Sequence, residues 1–343
     1  LFFCSRLIQF HNMSYSCVNQ GCANNTTLFS QEAAEKLLFR CFLCEDQLEH
    51  PPLTLKSILE NIDALPVAMQ ILPRLQLLLN NENSTIDDIV MVTRTDASLV
   101  TQILKISNSA IYVLPDSGFC STLEEALNRI GFNTAYKVVG YVAAKQLFQK
   151  DLALYKISGL ELWEASVRTA IAMQSLAPQI RASSDSYVIP DTSTAYTVGL
   201  LHPVGKMLIN HYYDTEGIPA LGDVEFPLTD ESEKSALGFN HLEAAEKLLM
   251  KWNFQDEIVG PIRSQSNPLK GHGDRPLAAL LAMVVDAVKQ FPVSLDFNIE
   301  AMTEQYKPNS ELAAIVGIPK VEFLKSIESS AEDCKELAKT FAS

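Results

Sequence analysis

Five of the seven cysteines lie in the first 44 residues, and four of them form two close pairs, Cys17-x4-Cys22 and Cys41-x2-Cys44. Zinc takes four soft ligands in a tetrahedron, and two turn-forming Cys pairs joined by a short excursion supply that set. The stretches SCVNQGC and RCFLC are each compact enough to present two thiolates. Four cysteines leave no open coordination position, so the expected zinc is structural. It would staple a segment too small to bury a core of its own. The alternative is a set of reduced cysteines in a helical arm, because QEAAEKLLFRCFLC also has helical character. Cys120 and Cys334 are isolated. No other reactive constellation stands out. GHGDRP at 271–276 lacks the preceding strand and the following Lys-Ser/Thr of a phosphate loop, and there is no GxSxG elbow.

The elements that must position such groups are helical. Pro66 stands where a first helical turn tolerates it, ahead of VAMQILPRLQLLL, in which Pro73 is expected to kink or split the helix. Thr85-x-x-Asp88, Thr122-x-x-Glu125 and Asn240-x-x-Glu243 are N-terminal capping signals, and Gly131 ends the helix that the second one starts. Leu99, Ile103 and Leu104, and again Val138, Val142 and Leu147, recur at helical spacing. No alternating β-branched run bounded by hairpin turns is evident. The expected fold class is all-α.

The 343 residues carry 27 Lys+Arg against 41 Asp+Glu, a net charge of −14, with 47% hydrophobic residues. That hydrophobic content excludes disorder as the main state. The acidic balance provides no footprint for a phosphate backbone, so DNA and RNA are not expected partners. Between Cys17 and Cys44 the only basic residues are Lys36 and Arg40, which argues against a nucleic-acid-binding ribbon. No apolar run approaches the roughly 18 residues that span a bilayer. The first Met is Met13, expected to be the natural start, with residues 1–12 an upstream or non-native extension that lacks the features of a signal peptide. The expected location is the cytoplasm, where thiols stay reduced. The expected organisation is a Cys-rich segment over 13–50, helical groups over 55–150 and 151–290, and a tail over 291–343 ending in an amphipathic helix.

Several ordered motifs carry a family resemblance. NIDALPVAMQIL, TIDDIVMVTRTDASLVTQILKISNSAIY and STLEEALNRIGFNTAYKVV are followed by ELWEASVRTAIAMQSLA, AYTVGLLHPVGKMLI, LGFNHLEAAEKLLMKWNF and EIVGPIRSQSNP. In order and spacing this series resembles the HDOD family, the HD-related output domains of bacterial signalling proteins, over roughly residues 55–290. The resemblance implies an HD-like helical fold. The parent HD superfamily hydrolyses phosphate esters with divalent ions held by His and Asp, which generate hydroxide and neutralise phosphate charge.

Carried over residue by residue, the resemblance implies a degenerate site. The first ligand His of catalytic relatives falls at about Ala165, which has no donor atom. The namesake His-Asp pair is His202-Pro203, followed by a retained Gly205-Lys206. Asn240-His241 takes the place of an Asp-His pair, and Gln265-Ser266 that of a His-His pair. Asp286 matches the last ligand. The expectation is therefore a vestigial pocket of His202, Asp286, Lys206, Ala165 and Pro203. In it a buried Asp286 pairs with His202 or Lys206, and His202 forms a hydrogen bond where Pro203 breaks the helix. His241 is expected near solvent, as a first-turn helix residue.

These expectations describe a non-catalytic regulatory protein with no catalytic metal. It would act through a protein partner, such as a signalling enzyme, or through a nucleotide second messenger, and it could form a homodimer. An acidic surface suits a basic or mixed-charge partner. The rival is a divergent metal phosphohydrolase built on His202, Asp286 and one of His211, His241 or His272.

Overall fold

The computed structural model describes residues 14–342 except 19, 21, 24–28, 31–33, 35–39, 42, 46, 50–53, 61–66, 80, 82, 110–111, 113–117, 149, 182–190, 217, 219–220, 222–223, 271–273 and 294–297. The body is all-α. Its first half contains α1 (Leu55–Glu60), α2 (Val67–Leu79), α3 (Ile86–Thr93), α4 (Ala97–Ser107), α5 (Leu123–Ile130) and α6 (Phe132–Leu147). The second half contains α7 (Gly159–Leu176), α8 (Thr192–Leu201), α9 (Val204–Glu216), α10 (Asp230–Leu237), α11 (His241–Lys251), α12 (Asp256–Ser264) and α13 (Arg275–Gln290). Three more helices follow: α14 (Ile299–Gln305), α15 (Ser310–Val316) and α16 (Lys320–Ala342).

The capping signals act as their chemistry dictates. The side chains of Thr85, Thr122 and Asn240 each accept the backbone N–H three residues on. The acid there reaches back to the cap N–H, so two orphan donors are satisfied at once. Gly131 closes α5 with φ +76°, a conformation few other residues adopt. Pro73 does not split its helix: α2 runs unbroken through it. Ile71, Leu72 and Leu75 are buried on both sides of the proline, and that burial offsets the roughly 3 kcal/mol a mid-helix proline costs. Pro66 lies outside the described residues.

Helix α7 is the centre of the second half. It packs on α8, α13 and α16, and it is buried on most of its circumference, as a central helix must be. Its contact with α8 is as close as backbones allow, for a Cβ at Gly199 would meet the N and Cα of Ala170 at 2.7 Å. Arg168 of α7 is buried, and burial lowers its pKa. Its guanidinium donates to the carbonyls of Phe291, at the end of α13 (2.6 Å), and Ile327, in α16 (3.4 Å). A cation at the C-terminal end of α13 is favourably placed against the helix dipole. The same contacts dock the final helix on the body, with Phe323, Leu324, Ile327 and Cys334 buried beneath it.

Some β-structure forms where none was expected. Strands β1 (Ser14–Cys17), β2 (Phe29–Ser30) and β3 (Leu48–Glu49) pair antiparallel in the order β2-β1-β3. Ser14 lies opposite Ser30, and Cys17 opposite Leu48. Strands of two to four residues are too short to display a periodic pattern. No described helix is long and apolar enough to cross a membrane.

Candidate functional site

Two clusters of side chains gather groups capable of binding chemistry. The first lies beside the short sheet. A bridge between Arg40 and Gln47 closes a turn in which the Glu45 N–H donates to the Cys41 carbonyl at 2.8 Å. Glu45 adopts φ +59°, taking the left-handed position a glycine would ordinarily fill after the second cysteine. The Leu43 N–H donates to Cys41 Sγ at 3.4 Å, and Cys41 Sγ stands 3.7 Å from Cys22 Sγ. The Sγ atoms of Cys22, Cys41 and Cys44 all lie within 4.8 Å of one another. A separation of 3.7 Å is far beyond the ~2.05 Å of a disulfide. It equals the edge of a tetrahedron built on bonds of about 2.3 Å, the zinc–thiolate length. Cys17 belongs to β1, and its side chain lies outside the described residues.

The second cluster forms where α9, α10 and α11 meet the turn Ala153–Tyr155. Asn210 of α9 pins that turn by accepting the Leu154 N–H at 3.1 Å, and the Leu154 carbonyl accepts the Leu228 N–H at 2.9 Å. Tyr155 is thereby aimed at α10. A capping box of Thr229 and Ser232 starts α10, and Gly238 ends it with φ +79°. The reversal sets Glu233 against the first turn of α11. Glu233 is 0% exposed, and three donors satisfy it: Tyr155 O–H at 2.6 Å, the His241 N–H at 2.6 Å and His241 Nδ1 at 2.8 Å. The His241 N–H is an orphan donor of a helix start, so Glu233 also caps α11 and meets its dipole favourably. Burial raises the Glu233 pKa, and the His241 and Tyr155 hydrogen bonds outweigh it, leaving the carboxyl below its ordinary range.

Asp230 and Lys206 complete this cluster. Asp230 Oδ1 is 3.6 Å from His241 Nδ1, and its side chain is 41% exposed. Lys206 of α9 is half-buried, with Nζ 5.4 Å from the Tyr155 ring centroid. Burial lowers its pKa, against the opposing pull of Glu233 and Asp230. His202, just before α9, is buried, and its Nδ1 lies 2.7 Å from the Gly199 carbonyl. Burial depresses its pKa to about 4, with the Gly199 bond opposing and the Lys206 and His241 charges adding to the fall.

Three expectations require correction. His241 is not a solvent-side residue: it is 6% exposed, because Glu233 and the close approach of α9 enclose it. Asp286 is not buried and does not pair with His202 or Lys206. It lies on the exposed face of α13 and accepts a hydrogen bond from Gln290 at 2.9 Å. Lys206 turns instead to the Tyr155 ring. Ala165 is a partly buried residue packed on the core, and Pro203 is buried. His211 is half-buried, with Lys150 and Asp214 as its charged neighbours, and His272 lies outside the described residues. The donor set that the resemblance implies for a divalent ion therefore does not fit: positions 165 and 203 lack a metal-binding side chain, and Asp286 faces outward rather than towards His202. Sequence reasoning missed Tyr155, Asp230 and Glu233, whose only local mark is an acid-rich first turn of α10.

The HDOD domain profile matches residues 65–268. A protein of Treponema pallidum (strain Nichols), described as uncharacterized, is 27% identical over 232 residues, covering 66% of this chain and 42% of the relative. The chain thus spans under half the length of that relative. Among solved structures, an HDOD domain protein of unknown function from Geobacter sulfurreducens is similar, with TM-score 0.58 and 18% identity, covering 82% of this chain and 95% of the other. A provisionally named phosphohydrolase from Shewanella amazonensis SB2B has TM-score 0.58 and 24% identity, covering 83% and 97%. A provisionally named signal transduction protein from Marinobacter aquaeolei VT8 has TM-score 0.57 and 18% identity, covering 84% and 65%. At these identities the likeness establishes a shared fold.

Proposed function

Since the chain belongs to the HDOD family, we propose that it is a non-catalytic signalling module that regulates by binding a protein partner or a small ligand. The supporting observation is the dispersal of the implied metal ligands: alanine at 165, proline at 203, and an Asp286 turned outward to Gln290. Water activation by a divalent ion needs several donors converging on one point, and these residues cannot converge. The net charge of −14 suits a basic or mixed-charge protein partner, such as a signalling enzyme.

The test is a phosphodiesterase and nucleotidase assay of the full chain with Mn2+. Turnover at the level of the metal-only blank is expected for the wild type and for Asp286→Asn alike. Metal-dependent turnover that Asp286→Asn abolishes would establish the hydrolase instead.

The N-terminal cysteines fit this proposal as the holders of a structural zinc ion, with Cys17 the fourth ligand beside Cys22, Cys41 and Cys44. The 3.7 Å sulfur separation and the N–H donated to Cys41 Sγ support it. A zinc of this kind folds a segment that has no core. Cys41→Ser is expected to remove one equivalent of zinc per chain and to open residues 14–49 to proteolysis, with the helical signal by circular dichroism retained. Unchanged zinc content would exclude Cys41 as a ligand.

A further inference from the structure

We infer that Asp230, Glu233 and His241 form a second metal site, one that takes a divalent transition-metal ion of the zinc class. The donor set differs from the one implied by the resemblance: it shares the His241 position but adds two carboxylates of α10 and uses no residue of α7 or α13. One ligand atom from each residue lies within 4.8 Å of the other two. The mix of imidazole nitrogen and carboxylate oxygen suits zinc and its neighbours.

The surroundings are those of a metal centre. Glu233, fully enclosed, has Oε1 held by the Tyr155 hydroxyl and Oε2 held by the His241 N–H, so its position is set by groups that would not touch the ion. Such outer partners orient metal-bound carboxylates elsewhere. Asp230 is the exposed member and provides the route from solvent.

His241 Nδ1 lies 2.8 Å from Glu233 Oε2, hydrogen-bond distance to an oxygen that, as a carboxylate, can only accept. An ion bound there would take the Nδ1 lone pair, and any proton on Nδ1 would pass to Nε2 or to solvent. Two carboxylates opposite one ammonium, Lys206, leave the cluster with one net negative charge, which favours a cation. Three elements meet there: α10, α11 and the turn carrying Tyr155, with α9 alongside. An ion would tie their relative positions together. Resting on the regulatory reading above, the ion is an effector rather than a catalytic cofactor.

The experiment is titration of the full chain with Zn2+ by calorimetry and with Co2+ by absorbance. Thiolate-bound cobalt shows strong sulfur-to-metal charge transfer, whereas cobalt at Asp230, Glu233 and His241 does not. The expected result is one equivalent with a thiolate spectrum and a second without it. The second equivalent should be retained when Cys22, Cys41 and Cys44 are all replaced by Ser. Asp230→Asn, at a half-exposed position, should weaken the second equivalent roughly tenfold or more while the fold is unchanged, and Glu233→Gln should do the same. Absence of a non-thiolate equivalent would overturn the site, as would affinity unchanged within twofold in Asp230→Asn. Hydrolysis by the loaded protein that Asp230→Asn weakens would support the site and sink the effector role.

Discussion

Gly205→Ala is expected to destabilise the protein by about 3 kcal/mol or more, or to prevent folding. A Cβ on Gly205 would stand 1.8 Å from the His241 carbonyl oxygen and 3.0 Å from the Ala245 nitrogen. Both are backbone atoms of α11 and cannot swing aside as a side chain would, so α9 and α11 must separate. In an open helix the same change would gain about 1 kcal/mol from helix propensity, which makes the sign itself informative. Gly260→Ala is the matched control. A Cβ there meets only the Asp256 side chain, at 3.8 Å or more. That variant should be neutral or slightly stabilised. Urea unfolding of both variants decides the matter, and a loss below about 1 kcal/mol at Gly205 would mean the two helices are not in this contact.

Acid is expected to destabilise the protein through His202. Its folded pKa, about 4, lies well below the ordinary imidazole value near 6.5. A depressed folded value means that the unfolded chain takes up the proton first. The stabilisation is therefore fully present above pH 6.5 and is lost as the pH falls towards 4. A shift of that size corresponds to roughly 3 kcal/mol over the window. The cause is burial, which disfavours the imidazolium, reinforced by the charges of Lys206 and His241. Unfolding free energy measured from pH 7 to pH 4 should fall more steeply in the wild type than in His202→Gln. Parallel curves would show that His202 is accessible to protons in the folded state. Glu233, also held below its ordinary pKa, adds a further loss at lower pH in both proteins.

The fold and the candidate site were legible in the sequence to different degrees. Thr85, Thr122 and Asn240 announced their helices because a cap and its acid are three residues apart, and the chemistry is complete within one turn. Of the two cysteine pairs, Cys41 and Cys44 lie in a described turn, as the two residues between them in sequence allow. The sulfurs of Cys22, Cys41 and Cys44 lie within 4.8 Å of one another, and the Cys17 side chain is outside the described residues.

The sequence by itself therefore determined the helical class and the main helix starts, which depend on contacts a few residues apart. Tertiary structure alone decided which polar groups meet. Asp286 lies in an apolar stretch, yet the rotation of α13 turns it to solvent. His241 opens a helix, where exposure is the ordinary expectation, but Glu233 from α10 and the absent side chain of Gly205 allow it to be buried. Tyr155 reaches Glu233 across 78 residues of chain, a separation at which no periodicity or cap leaves a trace. Pairing of buried polar groups is set by how helices pack, and packing sums many weak contacts that no short window of sequence contains.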